Sequence, residues 1–224
     1  MKIDGIRACV FDAYGTLFDV HAPVSREAAT LGAKAEAVSR MWRDKQLQYT
    51  WLRSLMGAHA DFSAVTADAL DYALAAHGIA DEALRNRLLA LYRTLDAYPD
   101  AAPCLAALRE RGLVTAILSN GSPDMLAAAT RSAGIDALLD HVLSVEAVGI
   151  YKPDARVYRL AVDATGAAPD EICFVSMNPW DASGAAYFGF RVIRLNRLGV
   201  PPDNLPGEIA AEIGCLDELS ALIA

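Results

Sequence analysis

Val10-Phe11-Asp12-Ala13-Tyr14-Gly15-Thr16 is the stretch whose reading decides the fold. Residues 6–11 form an apolar run broken only by Arg7, and the run ends in a carboxylate before Gly15 and Thr16 turn the chain away. A short apolar run bounded by turn residues predicts a strand buried on both faces of a parallel sheet. In open α/β sheets, ligands sit outside the carboxyl ends of the strands, and Asp12 falls there. An acid in such a place can also do no more than cap a loop.

Downstream the pattern changes. From Ala22 to Leu95 the chain reads as helix, with no convincing strand. Residues 39–56 give the strongest helical pattern. Val38, Trp42, Tyr49, Leu52 and Met56 form one stripe, and Arg43, Leu47, Trp51 and Leu55 a second at four-residue spacing. Two stripes predict a helix packed on two sides. Arg43, at the head of the second, is unusual because arginine is seldom buried without an anion. Further helices are predicted at 64–77 and 82–92, then a return linker around Tyr98-Pro99 and a helix over 102–111 ending at Gly112.

Strands then resume at 114–118, 142–145, 172–175 and 192–195, with helices between them and a closing helix at 216–223. This alternation predicts a doubly wound, Rossmann-like parallel α/β sheet with right-handed crossovers. Roughly 100 residues separate the first two strands, far more than a crossover needs. The predicted organisation is a core of residues 1–18 and 97–224, with a helical cap of residues 19–96 inserted after the first strand.

Composition narrows the class. A chain of 224 residues that is 54% hydrophobic can bury an ample core. Its net charge of −8 and lack of Lys/Arg clusters argue against nucleic acid or an anionic membrane surface as partner. The N-terminal stretch lacks the apolar segment of a signal peptide, and no apolar run approaches the ~18 residues of a membrane span. Cys9, Cys104, Cys173 and Cys215 form no metal-binding or paired spacing. The expectation is a soluble, cytoplasmic protein without disulfides. His21, His59, His77 and His141 show no ligand or triad spacing and receive no role.

Four predicted strands end in polar loops: Asp12 and Thr16; Ser119 and Asn120; Lys152; and Ser176, Asn178 and Asp181. One polar strand end is commonplace, whereas four of them would converge on one crevice. The first motif resembles that of the haloacid dehalogenase superfamily, with an acid nucleophile after a hydrophobic strand. In its phosphatases a second acid stands two residues on, and further acids after the fourth strand hold magnesium. Here those positions carry Tyr14 and Met177, and a thioether is a poor ligand for a hard cation. No metal and no cofactor is therefore expected.

The longer match is to the L-2-haloacid dehalogenase family. It rests on Phe11-Asp12-Ala13-Tyr14-Gly15-Thr16-Leu17, on Trp42-Arg43-x-Lys45-Gln46-Leu47 continuing through Tyr49-Thr50-Trp51-Leu52-Arg53, and on Leu118-Ser119-Asn120-Gly121. Tyr151-Lys152-Pro153 with Val157-Tyr158, and Ser176-x-Asn178-x-Trp180-Asp181, complete it. The resemblance implies hydrolysis of short (S)-2-haloalkanoic acids to (R)-2-hydroxy acids and halide, and a homodimer.

Its residue roles are chemically reasonable. Asp12 would displace halide from the back side, inverting the carbon and leaving an ester, with Lys152 supplying the counter-charge. Thr16, Ser119 and nearby amides would hold the substrate carboxylate. Arg43, Asn120 and the edge of Trp180 would cradle the departing halide. Asp181 would be the base for ester hydrolysis, with Ser176, Asn178, Lys152 and Tyr158 arranging it and its water. Tyr14, Leu47, Phe62 and Trp180 would line the alkyl pocket. The competing readings are a metal-dependent phosphatase of the same fold and a non-catalytic scaffold that binds a small acid or a protein.

Overall fold

The structure, a computed structural model, describes residues 2–224. Six strands form one parallel sheet: β1 (Ala8–Phe11), β2 (Val114–Ser119), β3 (His141–Ser144), β4 (Ile172–Ser176), β5 (Arg191–Leu195) and β6 (Ile209–Ile213). Their order across the sheet is β3-β2-β1-β4-β5-β6. The centre is β1, whose four residues are all buried, with Phe11 opposite Ile117 on one side and Val175 on the other. An apolar run covered on both faces has this position as its natural place. The strand order reverses between β1 and β4, so a crevice opens at their carboxyl ends, beside Asp12 and Ser176.

Five of the strands lie where the sequence places them, within a residue or two. The sixth, β6, was not expected. It pairs with β5 from Val192–Ile209 to Leu195–Ile213, with a register shift after Val192. Its signal is weak because it is an edge strand, partly exposed and carrying Glu212, and it follows a proline-rich connection instead of a helix. The expected closing helix at 216–223 is a 3₁₀ turn, Leu216–Glu218, followed by a single helical turn, Leu219–Leu222.

The helices between β1 and β2 are α1 (Ala22–Arg26), α2 (Ala28–Leu31), α3 (Ala35–Met56), α4 (Phe62–Ala76) and α5 (Glu82–Arg93). The Asp61 and Asp81 side chains accept from the first-turn amides of α4 and α5, fixing where those helices start. Around the core follow α6 (Ala101–Glu110), α7 (Pro123–Ser132), α8 (Ala155–Thr165), α9 (Pro179–Phe188) and α10 (Leu219–Leu222).

The expectation for α3 needs correction. Its buried line is Val38, Trp42, Gln46 and Thr50, while Leu52, Leu55 and Met56 are 44%, 84% and 68% exposed. Two polar residues take core positions because they are internally satisfied. Gln46 Nε2 donates to Thr66 Oγ1 at 2.7 Å, and Thr50 Oγ1 donates to the Leu47 carbonyl. Apolar periodicity cannot see such residues, so it displaced the buried stripe.

The chains leading into and out of the helical segment are zipped together just beyond Asp12. Phe18 bridges Ala97, the Tyr98 amide donates to Leu17 O, and the Asp19 amide donates to Asp96 O. No helix among the described residues is long and apolar enough to cross a membrane, and all four cysteines are free.

Candidate active site

Asp12 follows β1 directly, and its backbone amide donates to Val175 O of β4. Asp12 is 5% exposed, and its carboxylate is fully engaged. Oδ1 accepts from Lys152 Nζ at 3.1 Å; Oδ2 accepts from Asn178 Nδ2 at 2.8 Å and Thr16 Oγ1 at 3.2 Å. The acid is therefore held in one orientation and is not a loop cap.

Lys152 is 1% exposed, far from a surface lysine. Its ammonium also donates to Asp181 Oδ2 at 2.8 Å and lies 5.0 Å from the centre of the Phe174 ring. Burial alone favours the neutral amine, but the Asp12 and Asp181 carboxylates together outweigh it and raise the lysine above its ordinary value. Lys152 is fixed at its backbone too, where its amide donates to Asn120 Oδ1.

Asp181, in the first turn of α9, is wholly buried. It accepts from Tyr158 Oη at 2.8 Å and from Ser176 Oγ at 3.1 Å in addition to Lys152. Burial pushes its pKa up to about 6, Lys152 pulling it down and Asp12 pushing it up. Burial likewise raises the Tyr158 phenol well above its ordinary range, so it stays a donor.

Arg43 reaches down from α3. It donates to Gln46 Oε1 at 2.8 Å, Asn178 Oδ1 at 3.1 Å and Tyr14 O at 3.2 Å. All three acceptors are neutral, and among the described residues Arg43 has no carboxylate partner, Asp44 included. A partly buried guanidinium without an anion marks a place where one can bind.

Thr16 differs from expectation. Its hydroxyl donates to Asp12 and accepts from the Met177 amide at 2.9 Å, so it aims Asp12 and has no donor left for a substrate carboxylate. Ser119 keeps that capacity: its oxygen accepts from the Gly121 amide, and among the described residues its own proton has no acceptor.

The apolar wall is built from Tyr14, which stacks on Tyr92 at 5.7 Å and packs on Phe62 at 5.2 Å. A Cβ at Gly121 would come within 2.7 Å of the Tyr14 ring, so only glycine lets that ring lie against the Ser119–Gly121 turn. Leu47 is half-buried one turn from Arg43. Trp51 meets Trp180 edge-on at 5.3 Å. Tyr14 Oη, Trp51 Nε1 and Trp180 Nε1 are buried donors with no partner among the described residues. Each such donor costs about 1–3 kcal/mol, which an acceptor bound in the site would recover.

Sequence reasoning overlooked Gln46. It is 1% exposed and accepts from both Arg43 and Tyr92 Oη while donating to Thr66, so it holds the guanidinium in place. The signal was there, in the Trp42–Leu47 motif, but an amide on an apolar helix reads as solvent-facing. His59, which received no role, lies 2.9 Å from Glu146 and packs on Tyr151, joining the α3–α4 loop to the turn after β3.

A profile of haloacid dehalogenase-like hydrolases matches residues 6–189, which sets the class of protein. Within it, the chain is 48% identical to (S)-2-haloacid dehalogenase 4A of Burkholderia cepacia, over 99% of this chain and 96% of that one. A dehalogenase solved with an intermediate complex superposes with a TM-score of 0.97 at 47% identity, covering 99% of both chains. The L-2-haloacid dehalogenase of Xanthobacter autotrophicus, with chloropropionic acid covalently bound, has a TM-score of 0.90 at 38% identity, over 97% of this chain and 98% of that one. The chain belongs to the L-2-haloacid dehalogenase family.

Proposed function

We propose that this protein hydrolyses short (S)-2-haloalkanoic acids to (R)-2-hydroxy acids and halide. The observation that carries the reading is the pairing of a buried, fully oriented carboxylate, Asp12, with a guanidinium, Arg43, whose partners are all neutral. The first is a nucleophile and the second a seat for the anion that leaves. The relatives' names and the covalently bound chloropropionic acid in one of them support the same chemistry.

In this reading the core of 1–18 and 97–224 carries the chemistry and the cap of 19–96 covers it. Asp12 attacks the halogen-bearing carbon opposite the halide. The carbon–halogen bond breaks as the aspartyl ester forms, and the halide leaves with the bonding pair toward Arg43, Asn120 and Trp180. Ser119 and amides of the Asp12 loop bind the substrate carboxylate. Asp181, oriented by Ser176, Tyr158 and Lys152, takes a proton from water attacking the Asp12 carbonyl carbon. The bond from that carbon to the ester oxygen breaks, and the leaving alkoxide takes the new Asp12 carboxyl proton. The hydroxy acid departs with Asp12 restored as carboxylate and the Asp181 proton lost to solvent. Asn178 fixes both Asp12 and Arg43.

The phosphatase alternative has no acid where it needs one. Tyr14 lies in an aromatic cluster, and no three His, Cys, Asp or Glu converge on a metal position among the described residues. The assay that separates the two is halide release from 2-chloropropionate with chelator present, against p-nitrophenyl phosphate turnover with magnesium. Phosphate release without halide release would end the proposal.

Asp181 acts only as the carboxylate. Hydrolysis of the ester is therefore expected to climb as pH rises through about 6. Stability runs the other way in that window. Above its ordinary value of 3.8, the unfolded Asp181 has lost a proton that the folded one keeps until about 6, so folding weakens as pH rises. Following ester decay after rapid mixing checks this; a rate flat across about pH 5 to 8 would contradict it.

The homodimer that the family resemblance implies has a candidate face in Leu52, Leu55 and Met56 of α3. Three exposed apolar side chains on one helix end are what a second copy would cover. Leu55→Asp is expected to shift the protein to monomer by light scattering, and an unchanged mass would remove this face from consideration.

A further inference from the structure

Next to Thr16 lies a largely buried ion pair that the mechanism does not use. Arg197, in the loop after β5, donates to Asp100 twice, from Nη1 to Oδ2 at 2.7 Å and from Nη2 to Oδ1 at 2.8 Å. Its guanidinium lies 4.1 Å from the centre of the Tyr98 ring, and Nη2 also reaches Thr16 O at 3.3 Å. Asp100 Oδ2 accepts from the Leu216 amide as well, at 2.9 Å. The two side chains are 14% and 10% exposed. Burial opposes the Asp100 charge, but Arg197 and the Leu216 amide outweigh it and hold the acid below its ordinary value.

The position of this pair is what gives it meaning. Thr16 and Leu17 lead into the cap, while Tyr98 and Asp100 lead out of it, and the Tyr98 amide already donates to Leu17 O at 2.8 Å. One guanidinium therefore fastens the incoming chain, the outgoing chain and the β5 loop together. The residue it holds by its carbonyl, Thr16, is the residue whose hydroxyl orients Asp12 Oδ2. An exposed ion pair contributes little, whereas this one is largely buried and ties Thr16 into the same set of hydrogen bonds.

We propose that Asp100 and Arg197 are positioning residues for the displacement step. They pin the joint between cap and core, so that movement of the cap leaves the aim of the Asp12 carboxylate unchanged. The proposal rests on the dehalogenase reading, with Asp12 as nucleophile. Back-side attack at carbon tolerates little misalignment, and a displacement near 1 Å costs about a hundredfold in rate.

The test is the halide burst from 2-bromopropionate under single-turnover conditions, with melting temperature measured alongside. Halide release by the unaltered protein establishes the underlying reading first; its absence would defeat that reading instead. Arg197→Met is expected to slow the burst by roughly ten- to a hundredfold while KM changes little. Arg197→Lys keeps the charge opposite Asp100 but cannot bridge it twice and reach Thr16 as well. It is expected to recover most of the lost melting temperature and little of the burst rate. A stability role alone would have rate and melting temperature recover together in the lysine variant. That result, or a folded Arg197→Met with the unaltered burst rate, would overturn the proposal. If Arg197→Met fails to fold, the lysine variant alone decides.

Discussion

Asp12→Asn is expected to abolish halide release, by about 10⁴-fold or more, while leaving the protein folded. Removing a nucleophile on which the chemistry depends has effects of this order in other hydrolases. The amide is the same size as the acid, and its oxygen can still accept from Lys152, Asn178 or Thr16, which bond Asp12 at 2.8–3.2 Å. Little structural rearrangement is needed, so loss of activity with an unchanged melting profile isolates the chemical role. The same variant separates enzyme from scaffold: a protein that merely binds small acids has no use for a buried nucleophile, and unchanged halide release in Asp12→Asn would remove Asp12 from the mechanism.

The second large effect belongs to Lys152. Lys152→Met would leave Asp12 and Asp181, both buried, without the cation between them. Stripping one partner from a buried ion pair costs about 3–5 kcal/mol, which for a chain of this size lowers the melting temperature by roughly 10 °C. While its carboxylate partners are ionised, the raised lysine keeps its charge and the stability it contributes up to its ordinary value of 10.5; that contribution is lost as pH rises through the higher folded value. At neutral pH the whole contribution is therefore present in the unaltered protein. The deficit in Lys152→Met is expected to shrink as pH falls through about 6, because protonating Asp181 relieves the repulsion. Thermal melts at about pH 5 and pH 8 check this, and an equal deficit at both would contradict it. Activity should be lost as well, since the lysine both neutralises and orients the nucleophile.

The parts that were legible in the sequence were those with local and exclusive signals. Buried parallel strands are short continuous apolar runs, and three of the polar groups, those at Asp12, Ser119 and Ser176, directly follow one. Tyr14 is as informative as Asp12: an aromatic ring stands in the second acid's place, and it lies in a cluster with Phe62 and Tyr92. What escaped notice depends on pairing at long range. Gln46 is buried only because Arg43, Thr66 and Tyr92 satisfy it, and no periodicity reveals that. Thr16 looks like a free donor in the sequence, yet its hydroxyl is taken by Asp12 at its own strand end and by the Met177 amide at the end of β4. Asp100 and Arg197 lie 97 residues apart and carry no motif, so their meeting is known only from the fold. The edge strand β6 was missed for the opposite reason, since its sequence is ordinary and its pairing alone makes it a strand.

In the proposed mechanism an ester forms on Asp12 and water attacks its carbonyl carbon. The direct test is a single turnover in heavy-oxygen water with enzyme in excess over 2-chloropropionate, followed by mass analysis of the peptide containing Asp12 and of the product. Under this mechanism the heavy oxygen enters the Asp12 carboxylate and the 2-hydroxypropionate emerges unlabelled. Heavy oxygen in the product of that first turnover, with Asp12 unlabelled, would mean that water attacks the substrate itself and would contradict the mechanism.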